Sequence, residues 1–240
     1  MYDHDEQVRD KAIVVVGEMR KVVQDAEKES IMKLTLDLAH EEGNEKLRET
    51  AVKLINEIAP EMGQEVCEFF IVHEICSLGL DPKANVRQAV ARNLVSISKC
   101  VSLDCFTRKL FPLYKDVLTQ DKEEKVRKTC ADVVAEFTNV SPIDKTATDL
   151  QNLYFGFLQD QYSKIVRGTA FQNIGPFIAC FKDHSPIDPR IINFFINTTE
   201  KTTSKDVTFY ASINFPAFIY VTGEAEWSRY RKLYLKLAQS

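Results

Sequence analysis

The chain has 240 residues, 45% of them hydrophobic, a formal net charge of −4, and only eight glycines and eight prolines. That much apolar matter supports a folded body of one or two domains, and so few turn-formers argue against a β-rich fold. The acidic balance lacks the basic footprint of a non-specific nucleic-acid binder, whose affinity comes mainly from neutralising phosphates.

The N-terminal MYDHDEQVRDK (1–11) is charged, and the following AIVVV (12–16) is too short for a signal segment. No stretch approaches the roughly 20 apolar residues of a membrane span. The expectation is a soluble intracellular protein, cytoplasmic with the nucleus as a second compartment, that engages neither membrane nor nucleic acid.

From the N-terminus onward one phrase recurs. Val8-Arg9, Leu47-Arg48, Val86-Arg87, Val126-Arg127 and Val166-Arg167 mark five copies, their arginines separated by 39, 39, 40 and 40 residues. A sixth copy fits at Val207-Thr208, without the arginine. Offsets of 0, +4, +8 and +11 from each anchor read Val8, Ala12, Val16, Met19; Leu47, Ala51, Ile55, Ile58; and Val86, Val90, Leu94, Ile97. They continue Val126, Cys130, Val134, Phe137; Val166, Ala170, Ile174, Phe177; and Val207, Ala211, Phe215, Phe218, so that all 24 positions are apolar. Those offsets share one face of an α-helix. The pattern predicts one helix with a buried stripe, written six times.

A second apolar segment of helical spacing precedes each later copy, at 31–40, 69–80, 110–120, 150–160 and 190–199, and 226–238 opens a seventh. The unit is a helix A, a short turn and a helix B in about 40 residues, the period of HEAT-type repeats. One helix pair cannot bury its stripes alone, whereas stacked pairs bury them against their neighbours. The predicted fold is all-α: an α-α superhelix, a HEAT-repeat solenoid of about six repeats over residues 1–240 as a single domain, open at both ends. The chain starts close to a helix B and stops on a helix A. With Val14, Val15, Val16, Met19, Leu233, Leu235 and Leu237 at those ends, a piece of a longer solenoid or ends covered by a partner is expected.

Five residues before the anchor stands an acid (Asp3, Glu42, Asp81, Asp121), shifted in the fifth copy to Asp160 with Gln161 in its place. An acid there is expected to cap the free N–H groups of helix B and to favour its dipole. The arginines Arg9, Arg48, Arg87, Arg127 and Arg167 are expected to form a structural ladder, reaching an acid or carbonyl of the adjoining repeat. Fixed spacing in five copies favours a partly buried bidentate contact over an exposed pair worth about 0–1 kcal/mol. Pro176 and Pro216 each remove a helical hydrogen bond, to Gln172 and Ser212, and predict kinks in two B helices.

Chemistry-bearing motifs are missing. There is no Gly-rich phosphate loop, no His/Asp metal cluster and no nucleophile–base pair. None of the six cysteines forms a CxxC pair. His73 and Cys76 lie one helical turn apart, but no second pair completes the four ligands zinc usually takes. The reading is a non-enzyme with no catalytic, cofactor or metal residues and no cofactor. Ser141-Pro142 and Ser185-Pro186 fall in B–A turns and fit proline-directed kinases, a common and weak signal. Asn139-Val-Ser141 and Asn197-Thr-Thr199 match the glycosylation sequon, which means little without a secretory signal.

Several stretches carry a family resemblance. VRGTAFQNIGPFIACF (166–181) and YASINFPAFIYVTGEAEWSRYRKLYLKLAQS (210–240) resemble the protein phosphatase 4 regulatory subunit 1 family, and LRETAVKLINEIAPEMG (47–63) and VRKTCADVVAEF (126–137) also fit. The GPF and FPA…G…W words carry the specificity, since a VRxxA helix is shared by HEAT proteins at large. Members of that family carry a long acidic, disordered insert between the two stretches. Here only KDHSPIDP (182–189) joins them, so nothing residing in the insert transfers.

The resemblance implies a non-catalytic subunit, related to the scaffold of protein phosphatase 2A, that holds a serine/threonine phosphatase catalytic subunit and meets further regulatory subunits or substrate proteins. It also implies that the A–B turns line up along a partner-binding ridge, here presenting Asp81, Lys83, Lys122, Glu124, Tyr162 and Lys164, against the plainer reading of a solvated charged edge. Trp227 is read as packing at a repeat junction. Two other functions compete. A HEAT adaptor for nuclear transport or chromosomes leaves the GPF and FPA…W words unexplained. A HEAT-like DNA-repair glycosylase needs a basic groove around a flipped base, and the charge balance speaks against it.

Overall fold

The computed structural model describes residues 2–3, 5–19 and 25–239, and every regular element among them is helical. In chain order these are α1 (Glu6–Met19), α2 (Asp25–Ala39) and α3 (Glu45–Met62). Next comes α4, made of Gln64–Val66, a π turn Cys67–Ile71 and Val72–Leu78. Then follow α5 (Ala84–Ser98) and α6, made of Leu103–Cys105, the π segments Phe106–Leu110 and Leu113–Val117, and Leu118–Gln120. The series continues with α7 (Glu124–Val140), α8 (Ile143–Leu158) and α9, in two pieces Lys164–Gln172 and Ile174–Ala179. It closes with α10 (Pro189–Lys201), α11 (Lys205–Thr222) and α12 (Trp227–Ala238). Odd-numbered helices are the B helices of the sequence pattern and even-numbered ones the A helices. The A helices α2, α4, α6 and α8 begin several residues before the predicted segments, because their first turns are polar and carry little periodicity.

The chain divides into two compact units, residues 1–130 and 131–240, with the boundary inside α7. In the first, α3 packs against α1, α2 and α5. In the second, α9 packs on α8 and α11, and α10, α11 and α12 pack on one another.

All the stripe positions of the second to fifth copies are buried, as are Ala211, Phe215 and Phe218 of the sixth. Burying a Val, Leu, Ile or Phe side chain contributes about 1.5–3 kcal/mol, so this stripe is the main stabilising feature. The first copy departs from the pattern. Val8 and Met19 are exposed, and α1 buries Arg9, Ile13 and Gly17 instead. α1 packs on α3 through this shifted face. At Gly17 a Cβ would meet the Glu57 carboxylate at 2.7 Å, so glycine allows that approach. At the other end Leu233 is buried, while Leu235 is exposed.

Two tyrosines repeat one tertiary contact. Tyr114 of α6 donates to the Cys130 carbonyl at 2.8 Å, and Tyr154 of α8 to the Ala170 carbonyl at 2.6 Å. Each ties an A helix to the B helix that follows it, across the same 16 residues of chain. Burial pushes the Tyr154 hydroxyl well up, which keeps it a donor. Tyr154 also stacks on Phe177 at 3.8 Å, and Phe195 on Phe218 at 4.0 Å, giving the second unit an aromatic core.

The prolines act differently from one another. Pro216 lies inside the unbroken α11, whereas α9 breaks at Asn173, just ahead of Pro176. The broken turn is sealed by Asn214 of α11. Its Oδ1 accepts from the Gly175 N–H at 2.8 Å, and its Nδ2 donates to the Gln172 carbonyl at 3.0 Å, the group Pro176 leaves without a helical partner. Asn214 is buried, and a Cβ at Gly175 would stand 2.5 Å from its Oδ1. The NIGPF and INFPAF words are thus the two halves of one helix–helix clamp.

Candidate functional site: the turns between paired helices

Each turn between an A helix and its B helix sorts its side chains into two sets. One set turns inward. Arg48 forks onto Asp81, with Nε to Oδ2 at 2.6 Å and Nη2 to Oδ1 at 3.1 Å, while its Nη1 donates to the Glu41 carbonyl at 2.7 Å. Arg87 does the same one repeat on, with Nε to Asp121 Oδ2 at 2.5 Å, Nη2 to Oδ1 at 2.9 Å and Nη1 to the Asp81 carbonyl at 2.7 Å. Arg127 donates to the Asp121 carbonyl at 2.8 Å, Arg167 to the Asp160 carbonyl, and Arg9 to the Asp3 carbonyl at 2.7 Å and to Thr50 Oγ1 at 3.2 Å. One guanidinium therefore holds its own turn through a carbonyl, and in the middle copies it grips the next turn through a carboxylate.

The acids do not cap helix B directly. Asp81 accepts from the Lys83 N–H at 2.7 Å and Asp121 from the Glu123 N–H at 2.9 Å, both inside the turn. In the fifth copy Asp160 accepts from Tyr162 and Ser163, and Ser163 supplies the cap proper, accepting from Ile165 and Val166 at 3.1 Å. Hydrogen bonding to Asp81 raises the Arg48 guanidinium further above neutrality, and Asp121 does so for Arg87. Burial pushes the Asp121 carboxyl up, but the Arg87 fork and the Glu123 amide outweigh it and hold the group below its ordinary value.

The other set faces out. Lys83, Lys122, Glu124 and Lys164 are exposed, and Tyr162 is 89% exposed at its turn tip. Asp81 leaves the ridge: it is buried, and its carboxylate is occupied by Arg48 and the Lys83 amide. Leu80 joins, 67% exposed beside Lys122 on the rim of a shallow groove in the first unit. Sequence reasoning missed Leu80 because it closes an apolar segment and reads as core. In the first unit the outward set is thus Leu80, Lys83, Lys122 and Glu124, and in the second Tyr162 and Lys164.

The remaining sequence candidates fall as follows. His73 is exposed, and no group of three or more His, Cys, Asp or Glu residues is placed to hold a metal among the described residues. No helix among them is long and apolar enough to cross a membrane. Ser141 is buried and donates to the Phe137 carbonyl at 2.7 Å, which closes it to a kinase, whereas Ser185 is half-buried. The link after α9 is anchored by Gln151, whose amide spans the Pro186 carbonyl and the Asp188 N–H. Trp227 is 40% exposed and lies against Tyr234 of its own helix, ring centroids 5.6 Å apart.

Paired helices in repeated register with outward turns define an α-solenoid of the HEAT/armadillo type. Solved structures agree on the fold. A triple mutant of Kap121p aligns over 92% of this chain and 21% of its own, with a TM-score of 0.61 and 14% identity. A designed armadillo repeat protein in complex with the peptide (KR)4 aligns over 90% of this chain and 95% of its own, with a TM-score of 0.51 and 16% identity.

By sequence the chain is similar to serine/threonine-protein phosphatase 4 regulatory subunit 1. It is 27% identical to the Mus musculus protein over 161 residues, and 26% identical to the Homo sapiens protein over 151 residues. The match covers 62% of this chain and spans only 17% and 16% of those two relatives. No protein-family model matches the chain. The resemblance first drawn from the GPF and FPA…W words therefore stands.

Proposed function

We propose that this chain is a non-catalytic regulatory or scaffold element of a serine/threonine phosphatase of the phosphatase 4 type, which binds the catalytic subunit or its substrates through the outward turns. The observation that carries this reading is the similarity to serine/threonine-protein phosphatase 4 regulatory subunit 1. The geometry supports it by dividing labour within each turn. Structural charges are buried in the arginine forks, while the side chains of Leu80, Lys83, Lys122, Tyr162 and Lys164 are exposed at the turns. Exposed Tyr162 and Leu80 flanked by lysines suit a contact surface, since interfaces are enriched in aromatic anchors. Phosphate-ester hydrolysis would belong to the partner, and this chain would supply position and substrate choice.

The test is co-purification of the tagged chain with a phosphatase 4 catalytic subunit, against a phosphatase 1 catalytic subunit as control. A complex with the former that survives gel filtration is the expected result. A chain that captures neither contradicts the proposal.

A further inference from the structure

Six free cysteines are distributed over the chain, all of them described, and two are brought together. Cys67 lies at the start of α4, as the first residue of its π turn, and Cys100 just beyond the end of α5. These are the far ends of one helix pair, so antiparallel packing returns the second thiol to the first. The Ser102 N–H, two residues after Cys100, donates to Oε1 of Glu68, the neighbour of Cys67, at 2.7 Å, and Ala59, whose carbonyl meets the Cys67 sulfur, lines the same depression as Cys100. Cys67 is fully buried and also has the Ala59 carbonyl at 3.2 Å from its sulfur. Cys100 is half-buried and lines a surface depression with Pro60, Gly63, Gln64 and Lys99. One thiol of the pair is thus open to a small solute, and the other is sheltered behind it.

We propose that Cys100 and Cys67 form a peroxide-responsive thiol pair, in which Cys100 is oxidised and Cys67 resolves it to an intramolecular disulfide. The oxidant is a hydroperoxide. The Cys100 thiolate attacks the terminal peroxide oxygen; the O–O bond breaks, leaving Cys100 sulfenic acid and a hydroxide or alkoxide, which takes up a proton. The Cys67 sulfur then attacks the Cys100 sulfur, the S–O bond breaks, and the Cys67 proton leaves with the hydroxyl as water. Two electrons pass from the two sulfurs to the peroxide, and a dithiol reductant restores the pair.

Electrostatics assigns the roles in the same order. The hydrogen bond from Cys67 brings the Cys100 thiol down to about 7, against the pull of burial, with Lys99 helping. The same bond and burial push Cys67 up, so it keeps its proton until it resolves. Burial raises Cys76, Cys105, Cys130 and Cys180. Thiolate fraction favours Cys100 about 50-fold at pH 7 over a thiol at its ordinary or higher value, and the lower nucleophilicity of an acidic thiolate takes back most of that, leaving roughly fivefold.

The experiment treats the intact chain with hydrogen peroxide, alkylates the remaining thiols and maps the cysteines by mass spectrometry. Tryptic peptides 54–83 and 100–108 each hold two cysteines, so fragment ions must separate Cys67 from Cys76 and Cys100 from Cys105. The expected product is a Cys67–Cys100 link that dithiothreitol reverses, with the other four cysteines still alkylated. In Cys67→Ser the link is lost, and a dimedone adduct on Cys100 replaces it. Timed alkylation of the unmodified chain at pH 7 needs no variant and should label Cys100 first, by about fivefold over Cys76 and Cys105. Alkylation of Cys100 no faster than theirs, a first link between any other pair, or peroxide driving Cys100 to sulfinic acid without joining Cys67 would each overturn the proposal.

Discussion

At the residue scale, the arginine–aspartate fork is the most informative contact. Arg87 and Asp121 are both buried, and three donors of one guanidinium are engaged. Removing one partner of such a pair strands a buried charge, at a cost of about 3–5 kcal/mol. Arg87→Ala should lower the unfolding free energy by that amount in a denaturant titration, and Arg87→Lys by less, because an ammonium keeps the charge but not the fork. Acid should act through the same group. Asp121 is held below its ordinary value in the fold. It therefore contributes stability in full above the unfolded value of about 3.9 and loses it as pH falls through the lower folded value. Asp121→Asn should destabilise the chain at pH 7 and flatten the decline of its stability below about pH 4, followed by circular dichroism. An equally steep acid limb in the variant would show that Asp121 is not a main source of acid sensitivity.

At the element scale, helix breaks and joints are set by a few polar side chains. Asn214 answers two backbone groups opened by the break before Pro176. Asn214→Ala leaves the buried Gly175 N–H unpaired and releases the part-buried Gln172 carbonyl, so a loss of roughly 1–3 kcal/mol is expected in thermal or chemical melts. Gly175→Ala should also destabilise, because its Cβ would press on both Oδ1 and the Cα of Asn214, and backbone cannot swing aside. A neutral Gly175→Ala would mean that α9 and α11 do not approach as closely as described. The B helices were legible in the sequence because their stripes are strictly periodic and nearly all buried. The starts of the A helices were not, since polar first turns carry no period. The clamp was visible only as unusual words: nothing in the letters joins Gly175 to Asn214 across 39 residues. The Cys67–Cys100 contact was hidden in the same way, by a turn that returns the chain on itself.

At the scale of the whole molecule, repetition explains why turns can vary without loss of fold. Each helix pair contacts mainly its neighbours, so stability is local and roughly additive. Hydrogen exchange should register this: Arg87→Ala should speed exchange in α5 and the turn at 121–123 far more than in α10 to α12. Uniform acceleration along the chain would mean a single cooperative unit. The candidate surface was less legible than the fold. Charge at a turn does not say whether it points in or out, and the letters place Asp81 on the outward ridge although Arg48 holds it inside. Leu80 and Tyr162 are instead the large side chains the outward turns present, at 67% and 89% exposure.

The most direct measurement is the affinity of the purified chain for a phosphatase 4 catalytic subunit, by calorimetry, beside Leu80→Ala, Lys122→Glu and Tyr162→Ala. Because these side chains are exposed, melting should move by no more than about 0.5 kcal/mol in stability. The account predicts binding by the parent chain and a loss of at least about tenfold, or 1.4 kcal/mol, in one or more variants. Binding that all three variants leave intact would contradict the turn surface, and a parent chain that does not bind would contradict the scaffold role itself.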